Sequence, residues 1–227
     1  MANNFNFDVS VIWESIPALL DGAELTLIIT ASGCFFGFIL GVTAGILRLS
    51  KIAVVRKLAG MYIESVRGTP LMVQVMFLYF GLPMALGTRI PPLTAGIVAI
   101  AVNSGAYIAE IVRGAVQSIE KGQQEAGRSI GLTSSQTMRY IIWPQAFKRM
   151  IPPLGNQFII SLKDTSLLVV IGVGELTRSG QEIIAVNFRA FEVWLTVAII
   201  YLCITMGISK SLRIVESKWF TQRLPQQ

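Results

Sequence analysis

The sequence of 227 residues contains no histidine and only two cysteines, Cys34 and Cys203. Metal centres and acid–base sites built on imidazole are therefore excluded. Each cysteine lies inside an apolar run, where a free thiol packs as a small hydrophobic side chain, so we expect no structural disulfide. The sequence also lacks a G-x-x-x-x-G-K-[ST] loop to hold nucleotide phosphates and a G-x-S-x-G nucleophile turn. We expect no catalytic residue, metal or cofactor on this chain.

Charged residues are scarce as well. They make up 14% of the chain, against 53% for hydrophobic residues, whereas about a quarter of a soluble domain is charged. Several apolar runs reach the roughly 20 residues that a membrane-spanning helix needs. The net charge of +6 does not indicate nucleic-acid binding, because most basic residues lie between these runs and so set membrane topology. We predict an all-α integral membrane protein with one transmembrane domain, residues 1–227.

Apolar periodicity predicts five transmembrane helices, at residues 25–47, 59–86, 93–116, 154–176 and 191–212. The first is rich in Gly, Ala, Ser and Thr, which favour close helix–helix contact in lipid. The second is interrupted near Gly68-Thr69-Pro70. The N-terminus lacks the basic start and cleavage site of a signal peptide, so we expect the first span to direct insertion.

Basic residues are distributed unevenly between the two sides of these spans. Outside the spans, one side has only three basic residues, Arg89, Arg178 and Arg189. The positive-inside rule then places the N-terminus outside and the C-terminus in the cytoplasm. Fourteen of the nineteen Lys and Arg fall on the cytoplasmic side: Arg48, Lys51, Arg56, Lys57, Arg113, Lys121, Arg128, Arg139, Lys148, Arg149, Lys210, Arg213, Lys218 and Arg223.

The longest polar stretch, residues 118–153, separates the third and fourth spans. Residues 121–129 predict a short helix that ends at Gly131 in a left-handed cap. Thr133 and Gln136 predict a capping box that opens a second helix. This hairpin has too few apolar residues to form a domain, so it either docks on a partner or is a plain connecting loop. Three prolines are expected to interrupt the chain before it re-enters the membrane: Pro144, Pro152 and Pro153.

The same hairpin carries a recognisable motif. Its residues Glu125-Ala126-Gly127, Gly131 and Ile141-Ile142-Trp143-Pro144 resemble the EAA motif of ABC importer permeases: Glu-Ala-Ala, three residues, Gly, nine residues, Ile-x-Leu-Pro. The departures are Gly127 for Ala and Trp143 for Leu. The resemblance implies a cytoplasmic coupling helix that docks in a groove of an ATPase. It assigns this role to Glu125, Ala126, Gly127, Gly131 and Pro144.

Four other segments, residues 64–74, 103–110, 161–166 and 175–178, resemble the polar amino acid permeases of the histidine, glutamine and arginine type. That resemblance implies alternating access in the bacterial inner membrane. It implies a second permease subunit, with a homodimer favoured, two ATPase subunits that bind ATP and Mg, and a periplasmic or lipid-anchored binding protein. Glutamine is the favoured substrate, and arginine, histidine or an acidic amino acid are the alternatives.

Two adjacent charges, Lys163 and Asp164, lie in the fourth predicted span beside Thr165 and Ser166. An ionisable group inside the bilayer usually meets a partner or a wet cavity. A zwitterionic amino acid offers a carboxylate to Lys163 and an ammonium to Asp164. The alternative is an interhelical ion pair that fixes packing. Asp164 alone would also suit an ion-coupled secondary transporter, but such a protein needs no docking hairpin.

The third span places Asn103, Tyr107 and Glu110 on one face, with Ser104 beside them. We predict a stripe that lines the transport pathway, and interhelical hydrogen bonding is the alternative.

The interruption of the second span predicts a fresh half-helix with Thr69 as its N-cap and Pro70 in its first position. Gln74, one turn later, would face the same pathway. A simple kink is the alternative. Glu64 and Arg67 are expected to pair within one helix.

Topology gives the first testable prediction. After replacement of Cys34 and Cys203, single cysteines introduced at Lys51 and Ser135 should be protected from an impermeant thiol reagent in sealed cells. A cysteine at Arg89 should react. Labelling of position 135 from outside would overturn the orientation.

Overall fold

The computed structural model of the protein describes residues 6–220. The side chains of Lys218 and Arg223, counted above, lie outside it. No strand occurs in the described part of the chain. Its helical elements are α1 Val9–Arg48, α2 Ala53–Arg67, α3 Leu71–Met76, a π-helical turn Phe77–Gly81, α4 Leu82–Leu86, α5 Pro92–Gln117, α6 Lys121–Ser129, α7 Ser134–Thr137, a second π-helical turn Met138–Ile142, α8 Trp143–Asp164, a 3-10 turn Thr165–Ile171, α9 Leu176–Asn187 and α10 Ala190–Phe220.

Four helical segments of the described residues are long and apolar enough to cross a membrane: 9–48, 92–117, 134–171 and 190–217. A fifth span forms if α2 and the segment 71–86, which meet at a bend of 104°, are counted together. On that count the structure agrees with the five predicted spans. We call the end of the bundle with residues 49–52 and 118–133 the loop face, and the other end the opposite face.

Two predicted spans have the wrong bounds. Helix α1 begins at Val9, where the Asp8 side chain accepts a hydrogen bond from the Ser10 amide, and not at residue 25. Its 40 residues extend about 60 Å, twice the thickness of the hydrocarbon core. The fourth span was expected to run to residue 176, but the chain tightens into the 3-10 turn after Asp164 and leaves it at Gly172, where φ is +76°.

The expectation that three prolines interrupt the polar stretch was also wrong. Pro144 lies in the first turn of α8, and Pro152 and Pro153 lie inside that helix. Segment 134–171 is one continuous helical span, so all three prolines lie within it. Within transmembrane helices proline is tolerated, because neighbouring helices and local adjustments satisfy the freed backbone groups.

Helices α1 and α5 run parallel in close contact. Every fourth residue of the α1 contact face is glycine: Gly33, Gly37, Gly41 and Gly45. A β-carbon at Gly41 would lie 2.6 Å from the carbonyl oxygen of Gly105, and one at Gly45 would lie 2.9 Å from that of Ala109. The missing side chains therefore let the two backbones approach each other, as the small-residue composition of this helix predicted.

Helix α9 is attached to this pair near the opposite face. Leu176 is fully buried, and its amide donates to the Thr26 hydroxyl of α1 over 3.1 Å. Glu175 caps α9 by accepting hydrogen bonds from the amides of Thr177 and Arg178, and it accepts a third from the Tyr201 hydroxyl of α10 at 3.0 Å. This buried carboxylate joins α9 to α10.

The glycine contact gives a stability prediction. Gly41→Ala should lower the thermal unfolding midpoint of the purified protein, because overpacking a tight contact costs about 1–3 kcal/mol. Gly207→Ala is the matched control. It adds the same methyl group to α10, where no atom lies within 4 Å, and should leave the midpoint unchanged or raise it. Equal midpoints for the two variants would contradict the close contact.

Candidate functional site: a polar cavity beside the broken helix

A cavity of about 620 Å³ opens where α2 and α3 meet, between these helices, α5 and α8. Pro70, Leu71, Ile160 and Leu167 supply apolar parts of its wall. The wall is otherwise polar and includes one cation and one carboxylate. These polar residues are Arg67, Thr69, Asn103, Tyr107, Gln157 and Asp164.

The bend between α2 and α3 is held by the Gln74 side chain. Its amide nitrogen donates to the carbonyl oxygens of Val66 at 2.7 Å and Thr69 at 3.0 Å. Its amide oxygen accepts from the Asn103 side chain of α5 at 3.1 Å. Gln74 was predicted to face the pathway, but it does not line the cavity. It ties the end of α2 to α5. The interruption is a true break, because the chain turns by 104° here.

The predicted cap of the half-helix is one residue off. Helix α3 starts at Leu71 with Pro70 as its capping residue, and no side chain caps it. The Thr69 hydroxyl instead donates to the Ser65 carbonyl oxygen at 3.0 Å. The hydroxyl thus satisfies the last turn of α2, and for that reason it is turned away from the amides of α3.

The stripe on α5 divides into two parts. Asn103 and Tyr107 line the cavity, and Asn103 also makes an interhelical hydrogen bond to Gln74, which is the alternative named for this stripe. Glu110 lies one turn closer to the loop face, where Arg113 binds it. Ser104 is buried against Gly37 of α1 and does not line the cavity.

Near the end of α8, the two predicted charges have different surroundings. Asp164 lines the cavity, whereas Lys163 is exposed and does not. Among residues 6–220, no ion pair within 4.0 Å involves either of them. Thr165 is buried and donates to the Leu162 carbonyl oxygen, and Ser166 donates to that of Lys163, each at 2.7 Å. Only Asp164 of this group lines the cavity.

Gln157 was missed by the sequence analysis. It lines the cavity two helical turns before Asp164, is 5% exposed, and donates to the Ser161 hydroxyl at 3.3 Å. Its spacing of seven residues from Asp164 places the two side chains on one face of a continuous helix. Both residues lie in the predicted fourth span, 154–176, so the sequence carried this signal, but a neutral glutamine does not stand out within a span as a charged residue does.

The predicted pair within α2 does not form. Glu64 instead accepts from Arg48 of α1 at 2.7 Å, and Arg67 approaches Glu110 of α5 to 3.4 Å. The guanidinium of Arg67 also lies 5.3 Å from the ring centre of Tyr107. Both members of the predicted pair thus find partners on neighbouring helices, because α2 packs against α1 and α5 in this region.

The hairpin at the loop face folds as its sequence predicts. Helix α6 spans Lys121–Ser129, and Gly131 follows it with φ at +89°. The Leu132 amide donates to the Gly127 carbonyl oxygen at 3.1 Å, which is the hydrogen bond of a Schellman cap. Thr133 begins α7 through the predicted capping box with Gln136.

The motif residues occupy two environments in this hairpin. Gly127 is buried in the crossing of α6 with the following segment, where a β-carbon would lie 2.7 Å from Thr137. Glu125 and Ala126 are exposed on the outer side of α6. The Arg149 guanidinium closes the base of the hairpin by donating to the Ser118 carbonyl oxygen at 2.6 Å. The hairpin is thus tied to the end of α5 at its base and presents a polar helix outward.

Residues 35–220 match the family described as the binding-protein-dependent transport system inner membrane component. The chain belongs to this family. It is 55% identical over 213 residues to the glutamine transport system permease protein GlnP of Escherichia coli, with 93% of this chain and 97% of that protein covered. It is 36% identical over 218 residues to the L-cystine transport system permease protein TcyL of Bacillus subtilis, with 93% and 91% covered.

Solved structures agree with this membership. The crystal structure of an amino acid ABC transporter with histidines superposes with a TM-score of 0.90 at 39% identity, covering 94% of this chain and 100% of that chain. The inward-facing methionine ABC transporter MetNI shares the fold, with a TM-score of 0.76 at 23% identity over 93% and 99% of the two chains. The permease is thus the membrane subunit of an ABC importer and a multi-pass protein of the inner membrane.

Proposed function

We propose that the permease carries a polar L-amino acid, L-glutamine, through the cavity at the broken helix by alternating access. The observation that carries this proposal is the Asp164 carboxylate, which lines the cavity without an ion-pair partner among the described residues. A carboxylate inside the membrane is costly unless a wet cavity or a ligand meets it. The ammonium of an amino acid is such a ligand. Asp164 takes this role in the proposal, and the exposed Lys163 has none in it.

Glutamine suits the rest of the lining. Gln157 and Asn103, which carry neutral amides, line the cavity, and an amide both donates and accepts hydrogen bonds, as the glutamine side chain does. Arginine or a charged histidine would call for a second carboxylate, whereas Asp164 is the one carboxylate in the lining. The 55% identity to a glutamine permease supports the same choice. Arginine, histidine, glutamate and aspartate are the alternative substrates, and an ion-coupled secondary transporter is the alternative from another class.

The loop face is cytoplasmic in this proposal, with the N-terminus outside and residues 1–227 acting as one transmembrane domain. Helix α6 is the coupling helix, and its exposed Glu125 and Ala126 enter a groove of the ATPase. The working complex contains two permease subunits, as a homodimer, and two ATPase subunits that hold ATP and Mg. A periplasmic or lipid-anchored binding protein delivers the amino acid. The relatives support this assembly, since they belong to the same class of binding-protein-dependent importers.

The coupling role gives a prediction about Gly131. Gly131→Val should lower coupled transport several-fold, because a β-branched residue is strained where φ is +89°. Gly114→Val in α5, outside the coupling helix, is the matched control, since neither glycine has an atom within 4 Å and only Gly131 of the two has a positive φ. Transport and ATP hydrolysis are measured together in proteoliposomes. Normal coupling in the Gly131 variant would contradict the role given to this cap.

The substrate role gives a prediction about Asp164. Asp164→Asn should weaken amino acid recognition about tenfold or more, since a hydrogen bond to a charged group contributes about 1.5–3 kcal/mol. Assembly and thermal stability should be unchanged. Lys163→Gln is the control and should leave uptake unaltered.

A purely structural Asp164 predicts another result for the same variant. If Asp164 pairs with a cation of the second permease subunit in the assembled complex, loss of one member of that buried pair would cost about 3–5 kcal/mol of stability. Less complex would then assemble, and the surviving fraction would transport with unchanged affinity. Uptake kinetics and the thermal unfolding midpoint of one preparation distinguish the two roles.

A further inference from the structure

Five charged residues from three helices form a layer on the loop-face side of the cavity. Within 4.0 Å, Arg48 of α1 pairs with Glu64 of α2, Arg67 of α2 pairs with Glu110 of α5, and Arg113 pairs with Glu110 along α5. Along α5, Glu110 follows the cavity residue Tyr107 by three positions, or about 4.5 Å of helix rise. The layer therefore lies directly below the cavity on the way to the loop face.

Both carboxylate oxygens of Glu110 accept hydrogen bonds without any contribution from Arg67. Arg113 holds the carboxylate with two hydrogen bonds, from Nε to Oε1 at 3.0 Å and from Nη2 to Oε2 at 2.6 Å. The remaining terminal nitrogen of Arg113 donates to Gln117 at 2.6 Å. This two-point contact between a guanidinium and a carboxylate is the strong, directional form of the ion pair. Glu110 and Arg113 thus form a fixed unit on one helix.

Arg67 has weaker contacts than Arg113. Its closest approach to Glu110 is 3.4 Å, and its other neighbour is the Tyr107 ring at 5.3 Å. Its guanidinium makes no hydrogen bond to any residue in the range 6–220, although a guanidinium has five N–H donors. The side chain is 41% exposed and lines the cavity. Arg67 is therefore a cation that can change partners at small cost.

We propose that Arg67 binds the α-carboxylate of the amino acid in the cavity, and that it leaves Glu110 to do so. This inference rests on the proposed function and names the cation that opposes Asp164. The cavity then offers one charge of each sign to a zwitterion, from α2 and from α8. Among the ion pairs of the described residues, Arg67–Glu110 is the one that joins α2 to α5. Binding of the carboxylate thus releases a link between these helices below the cavity.

Calorimetric titration of the assembled permease–ATPase complex, without binding protein, tests the exchange. The probes are L-glutamine and L-glutaminamide, in which a neutral amide replaces the α-carboxylate. Wild-type complex should bind L-glutamine about tenfold or more tightly than L-glutaminamide. Arg67→Gln should abolish this preference, and Arg67→Lys, which keeps the charge but not the fork, should reduce it.

A second set of titrations uses a variant without the Glu110 carboxylate, which competes with the ligand for Arg67. Glu110→Gln should raise the affinity for L-glutamine several-fold, because Arg67 no longer has a carboxylate to leave. It should not alter the affinity for L-glutaminamide. Glu64→Gln is the matched control, since it breaks the Arg48 pair of the same layer and should change neither affinity. Assembly of each variant is checked by size-exclusion chromatography.

The outcomes separate the two proposals. A full preference for L-glutamine in both Arg67 variants, or a lower L-glutamine affinity in an assembled Glu110→Gln complex, would overturn the exchange and leave the amino acid function standing. A wild-type complex that binds neither probe would overturn the proposed function, and the exchange with it.

Discussion

The close contact between α1 and α5 is the constraint on which the other helices depend. Four glycines of α1 remove the side chains that would separate the two backbones. As a result α5 becomes the central helix. In its most apolar stretch of 18 residues, 67% are buried inside the protein, against 22% in the corresponding stretch of α10. Without water to drive apolar surfaces together, such backbone proximity is a main source of helix association in lipid.

The broken second span is built onto this central helix. The Tyr62 hydroxyl of α2 donates to the Val102 carbonyl oxygen of α5 at 2.7 Å, and the Gln74 amide links the end of α2 to Asn103 of the same helix. The Gln74 bonds to the Val66 and Thr69 carbonyl oxygens satisfy backbone groups that a bend in the bilayer would otherwise expose. The bend leaves space between α2, α5 and α8, and the polar cavity occupies that space.

The same two helical segments connect the cavity to the hairpin. Helix α5 carries Asn103 and Tyr107 at the cavity and ends where the hairpin begins, and α8 runs from the hairpin to Asp164. Arg149 fixes the hairpin to the end of α5 through Ser118. Continuous helical segments therefore connect the hairpin to two walls of the cavity.

Local features were predicted well because they depend on neighbours in sequence. The bounds of α6, the left-handed Gly131 and the Thr133 capping box follow from backbone sterics and short-range hydrogen bonds. The partners of charged residues were not predictable in this way. Glu64 and Arg67 are spaced for a pair within α2 but bind α1 and α5, because those helices approach more closely than sequence spacing can indicate.

The candidate site residues were likewise predicted only in part, because their placement also depends on how the helices pack. Asn103, Tyr107 and Asp164 were expected in the pathway and line the cavity, whereas Lys163, Ser104 and Gln74 do not. Hydrophobic runs and polar outliers identify which spans carry the site. They do not determine how each helix is rotated about its own axis. That rotation decides which of two adjacent polar residues reaches the cavity.

The most direct test of the account is ATP hydrolysis by the complete complex in proteoliposomes, screened across amino acids. The liposomes contain the permease, its ATPase and its binding protein, and no ion gradient is imposed. The account predicts that L-glutamine stimulates hydrolysis and its own uptake, whereas arginine, histidine, glutamate and aspartate do so weakly or not at all. Stimulation by one of those four in place of L-glutamine would contradict the substrate assignment. Uptake that needs an ion gradient and no ATP would contradict the central claim.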